Sequence, residues 1–194
     1  MKKLKKYDLE FGIFFAFLFF GTFFLLSFHK PFLNWAFLRH QNLLSWYIRP
    51  IFLIPLCYFS YLRSFGGISL TFFLLLTSMF WFPIPDQVGP SVKEFLSFEL
   101  SWLQGEWNFE KILLSFFPPA LLFVLSFAFW KKNLWAGLGI LVLIPFLKIT
   151  WSIFYGGASG ASILKPAIFG LVVTLAGLIL LFFKNKKNSK RESL

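Results

Sequence analysis

Acidic side chains are scarce, with eight Asp and Glu against nineteen Lys and Arg in 194 residues. Cysteine is nearly absent. Cys57 stands alone inside an apolar run, so no intrachain disulfide holds the fold. The two histidines, His29 and His40, could join a carboxylate of another outer loop at a metal, but eleven apart with no local cysteine or carboxylate they read instead as headgroup-depth side chains beside Trp35 and Arg39. No glycine-rich phosphate fingerprint, haem-attachment spacing or iron–sulfur spacing occurs, so the sequence implies no cofactor and no metal.

What the chain has in excess is apolar surface. Hydrophobic residues make up 58% of it and aromatic residues 23%, more than one soluble core can hide. An integral membrane protein is expected, with the lipid bilayer as its first partner. The formal charge of +11 does not point to nucleic acid, because the basic residues gather at the ends of apolar runs instead of forming a polar patch. They read as topology signals.

Six runs approach the ~20 residues that a helix needs to cross the hydrocarbon. They cover residues 9–28, 43–63, 66–82, 112–130, 134–154 and 163–183. The third is the shortest, and only "RSFGG" separates it from the second. The first follows "MKKLKK" but exceeds the usual h-region and lacks an A-x-A-like cleavage site, so it is expected to stay as an anchor. Under this count one side collects twelve basic and three acidic residues, net +9, and the other seven basic and five acidic, net +2. By the positive-inside rule both termini are cytoplasmic, in a plasma or inner cell membrane. The expected fold is an all-α polytopic bundle of about six transmembrane helices over residues 1–183, followed by a basic cytoplasmic tail, 184–194.

The longest extramembrane piece, residues 84–111, lies on the outer side in this scheme. Within it "SVKEFLSFELSWL", residues 91–103, winds into an amphipathic helix, and Ser91 with Glu94 has the S-x-x-E form of a capping box. Glu99 falls in the middle of its apolar arc. A carboxylate pressed inward needs a cation, and Arg49 is the first-choice partner with Lys148 the second. Arg49, Lys148 and Lys165 all fall near the outer leaflet and form a candidate anion or lipid-headgroup site.

Weaker patterns are also present. "GASG", residues 157–160, has the G-x-S-G spacing of intramembrane serine proteases, but no histidine follows Ser159. "SILK", residues 162–165, has the S-x-x-K spacing of serine–lysine hydrolases, and Pro166 makes it a helix start as readily. Ala167, Gly170, Thr174 and Gly177 share a small-residue face suited to close packing inside the bundle. Pro50, Pro118 with Pro119, and Pro145 are expected to bend or break their spans.

Three functional classes follow. The first-ranked is a non-catalytic membrane subunit or assembly partner, whose outer segment would close over a bundle without a cavity. The second is a small transporter-like or ligand-binding bundle, marked by cations converging on a cavity. The third is a membrane-embedded enzyme acting on a lipid-linked substrate, with Ser162 or an outer Glu as catalyst. The balance leans away from catalysis, and oligomeric state stays open.

Overall fold

The computed structural model describes residues 6–191, with side chains to residue 181; Lys2, Lys3, Lys5 and Glu192 of the charge pattern lie outside it, as do the side chains of the basic tail. The described chain is all-helical, without a strand. Its helices are α1 Asp8–Phe28, α2 Lys30–His40, α3 Leu43–Ile51, α4 Leu53–Tyr61, α5 Phe65–Thr77, α6 Pro90–Gln104, α7 Phe109–Trp130, α8 Leu134–Gly160 and α9 Leu164–Arg191, with 3₁₀ turns at Ser78–Phe80 and Ala161–Ile163.

Four segments are long and apolar enough to cross a membrane: Asp8–Phe28, Leu43–Tyr61, Phe109–Trp130 and Leu134–Leu181. That is fewer than the six expected from sequence. The third expected span yields only the short apolar stretch Phe65–Phe80, about 24 Å long at ~1.5 Å per residue. The fifth and sixth fall within one 48-residue stretch. Inside it Gly157, at φ +58° and ψ −140°, departs from helical geometry, and the chain turns back so tightly that a Cβ on Gly160 would collide with the Ser152 carbonyl. Glycine is needed there because a side chain disfavours positive φ. Helix α9 continues to Arg191, through most of the segment read from sequence as the basic tail.

Of the three proline places, the helix is broken at one and continuous through the other two. After Pro50 the helix ends at Ile51, and a new one begins at Leu53. Pro118, Pro119 and Pro145 instead lie inside uninterrupted helices, and the break in α8 comes at Gly157. The carbonyl of Pro50 accepts a hydrogen bond from Thr174 Oγ1 at 3.1 Å, which gives a bent backbone a partner inside the bundle.

Helices α1 and α5 lie side by side and run parallel. Phe15 meets Phe73, Phe19 meets Phe72, and a Cβ on Gly12 would collide with the Phe65 ring. Asp8 begins α1 and also caps α5. It accepts from Ser64 Oγ at 2.5 Å, Phe65 N at 2.8 Å and Gly66 N at 3.3 Å, donors that a helix start leaves unmatched. Arg63 donates to the Trp130 carbonyl at this same end, and Lys132 lies over the Tyr61 ring. A basic rim thus gathers where α4 ends, α5 begins and α7 meets α8.

Two apolar cores fill the molecule. One, around Leu56, Phe72, Leu125, Phe129, Leu141 and Leu178, joins α4, α5, α7, α8 and α9. The other, around Ala36, Phe37, Trp46, Met79, Phe95 and Leu96, holds α2 and α6 against α3 at the far end. Helix α6 starts at Pro90 behind Gly89, with no side-chain cap, so the Ser91–Glu94 box does not form. Proline at the first helical position already has the right φ and no N–H to satisfy. The small-residue face of α9 packs within the bundle as expected: Gly170 abuts Pro50, and Gly177 abuts Ile54.

Candidate functional site

Val92, Phe95 and Leu96 are buried, and they fix the rotation of α6. That rotation turns Glu99 toward α8, where Lys148 Nζ donates to its Oε1 at 2.5 Å. Lys148 is therefore the partner, not Arg49, the first choice from sequence. The pair is unevenly covered: the Glu99 side chain keeps 17% of its exposure and Lys148 37%. The lysine also lies over the rings of Trp151 and Phe95, 4.8 and 5.4 Å from their centroids, and these shield its alkyl stem and ammonium. It is the one ion pair among the described residues.

Arg49 approaches from α3 and points to His40, with Nη1 at 3.3 Å from the ring Nε2. The other ring nitrogen, Nδ1, sits 2.8 Å from Ser45 Oγ. The Ser45 hydroxyl gives its proton to the Asn42 carbonyl at 2.7 Å, which leaves Oγ to accept from Nδ1–H. Nε2 is then an acceptor facing the guanidinium, and His40 is neutral. Burial holds the His40 pKa well below its ordinary value, and the nearby charges of Arg49 and Lys148 push the same way. Trp46 Nε1 donates to the His40 carbonyl at 2.9 Å and locks the end of α2 against α3.

These groups share one cavity of about 270 Å³. His40, Arg49, Glu99 and Lys148 form its polar end, and Leu53, Leu75, Leu122, Leu141, Ile144 and Leu171 line the remainder. Walls come from Pro50, Pro145 and Pro166, and Gly170 and Thr174 bring the α9 backbone close. A second hollow, of about 410 Å³, lies where α6 ends. There Lys111 Nζ donates to the carbonyls of Gly105 and Glu106, and Tyr155 donates to Glu110, so its polar groups serve one another.

The other sequence candidates do not assemble. Lys165 is exposed and takes no part in the cavity. Ser162 Oγ is buried without a hydrogen-bond partner, so the serine and lysine of "SILK" are not joined. Ser159 donates to the Gly156 carbonyl. His29 caps α2 by accepting from Phe32 N, at the opposite end of that helix from His40. No cluster of three metal-binding side chains occurs among the described residues. Ser45 shares a helical stripe with Arg49 in the sequence, but sequence reasoning missed His40 as the neighbour of both. The signal was Asn42, a helix cap whose turn folds α2 onto α3. No protein-family model, curated protein or solved structure matches the chain.

Proposed function

We propose that this is a six-pass membrane protein with both termini cytoplasmic, and that it binds an anionic ligand in a cavity in the outer half of the bundle, as a small transporter-like or ligand-binding protein. The observation that carries this reading is Arg49, a guanidinium without an ion-pair partner at the head of an apolar cavity that also receives Lys148. A cation so placed is costly unless an anion or water answers it. The six-pass topology is supported by the +9 to +2 charge split and by the turn at Gly157. The gathering of Arg63 and Lys132 at the end opposite His40 and Glu99 supports it as well.

The subunit reading, first on sequence grounds, expects a closed bundle whose cations reach no cavity, and this cavity weighs against it. The enzyme reading needs a nucleophile or a general base facing substrate. Glu99 is tied to Lys148, Ser45 is fully buried with its proton committed, and Ser162 has no activating neighbour.

Native mass spectrometry of gently extracted protein tests the ligand reading. Wild-type protein should carry a small-molecule adduct that Arg49→Gln loses and Lys165→Gln keeps. Ligand-free wild-type protein, or the same adduct on Arg49→Gln, would overturn the reading. Reporter fusions at both termini test the topology, and an external terminus would overturn that.

A further inference from the structure

We infer that the ligand is a medium-chain amphiphile with a carboxylate head, seated with the head on Arg49 and the alkyl chain along Leu53, Leu122, Leu141 and Leu171. This deepens the ligand-binding reading and rests on it. Three observations select the chemistry.

The first is charge. Arg49 and Lys148 supply two positive charges, Glu99 removes one, and His40, whose Nε2 accepts from Arg49, adds none. The polar end is left with a net charge that one monoanion neutralises. A dianion would face the Glu99 carboxylate with an uncompensated charge, and a neutral alcohol would leave Arg49 unanswered. A planar guanidinium also matches a carboxylate through two parallel N–H···O bonds.

The second is the distribution of polarity. Past the four polar groups the lining is mainly leucine, isoleucine and proline from several helices, and its one hydroxyl, Thr174, is already bonded to the Pro50 carbonyl. Water there would find few partners, so a small free anion would fill the head and leave the rest apolar and empty. An alkyl chain gains by entering, at roughly 0.8 kcal/mol per buried CH₂.

The third is size. A cavity of about 270 Å³ has room for one alkyl chain of medium length, and octanoate is the probe of that size.

Scintillation-proximity binding of radiolabelled octanoate to the purified full chain tests this, with octanol, acetate and inorganic phosphate as competitors. Binding should be saturable, and each competitor should act at least about tenfold more weakly than unlabelled octanoate, the weight of a charge-assisted hydrogen bond or a few methylenes. Arg49→Gln should weaken binding by about tenfold or more, while Arg49→Lys, which keeps the charge, should recover part of it. Leu171→Trp, which fills the tail region without touching the head, should abolish octanoate binding. It also carries the test if Arg49→Gln fails to fold.

Equal competition by octanol, or full octanoate binding by Leu171→Trp, would overturn the inference. Phosphate or acetate competing as well as octanoate would remove the amphiphile and leave the anion site standing. Absence of binding by every anion would remove both.

Discussion

Asp8 and Glu99 each reach from one helix to another, at opposite ends of the bundle, and their surroundings differ in kind. Asp8 meets three neutral donors at the start of α5, two of them backbone N–H groups that the helix cannot otherwise satisfy. The carboxylate and the helix dipole answer each other there. Glu99 is bonded to one cation, Lys148, while a second, Arg49, lines the same cavity with no carboxylate in ion-pair contact. At the first, closed end the carboxylate caps a helix; at the other, the open end, two cations share one carboxylate.

The largest expected effect comes from removing the only acid that lines the cavity. Glu99→Gln should lower stability by about 2 kcal/mol, below the full cost of breaking a buried pair because Lys148 is partly solvated. Thermal unfolding in detergent measures it. The double variant with Lys148→Gln should show a coupling of about 0.5 kcal/mol or more. Strict additivity would mean that the pair does not hold α6 to α8.

Acid should act on the open end through His40. It is neutral in the fold, and once the chain unfolds its pKa returns to about 6.5, so below that pH the unfolded state binds the extra proton. Stability contributed by keeping His40 neutral is therefore intact above pH 6.5 and falls as pH drops, by up to about 1.4 kcal/mol per unit. Melting temperatures between pH 7.5 and 5.5 should show a slope that His40→Asn flattens. An unchanged slope in that variant would move the effect elsewhere.

At the closed end, Asp8→Ala should cost about 1 kcal/mol, the usual worth of a helix cap. It should leave octanoate binding unaltered when both proteins are assayed below their melting temperatures. A loss of binding would mean that the two ends are coupled and the contrast drawn here is false. The smallest effect belongs to Lys165→Gln, which should change neither stability nor binding measurably, as expected of an exposed side chain outside the cavity.

Much of the open end was legible in the sequence, because a single carboxylate on an apolar helical arc has few tolerable fates. The apolar periodicity of residues 91–103 places Glu99 inward, and Lys148 sits on the inward face of its own span. The choice between Lys148 and Arg49 was not legible. It depends on how α2 folds back at Asn42, which brings His40 beside Ser45 and Arg49. Lys165 was grouped with the other two cations by depth alone, yet depth says nothing about azimuth, and its side chain leaves the bundle. At the closed end Asp8 was counted only as a charge in a loop. Its role as the cap of α5 links residues far apart in the chain, and no local pattern carries that information. The number of spans was read from composition, which registers apolar runs but not how long each helix becomes. Phe65–Phe80 is short, and the last two runs form one helical stretch.

The turn at Gly157 bears on how such a chain would enter a bilayer during synthesis. Between Lys148 and Lys165 the sequence "ITWSIFYGGASGASIL" contains no ionisable side chain other than Tyr155. A connection of glycine, alanine and serine has little hydration to lose, so α8 and α9 are suited to partition together as a helical hairpin rather than one after the other. The left-handed residue that reverses the chain would then act early, by setting Pro166, Gly170 and Leu171 opposite Leu141 and Pro145.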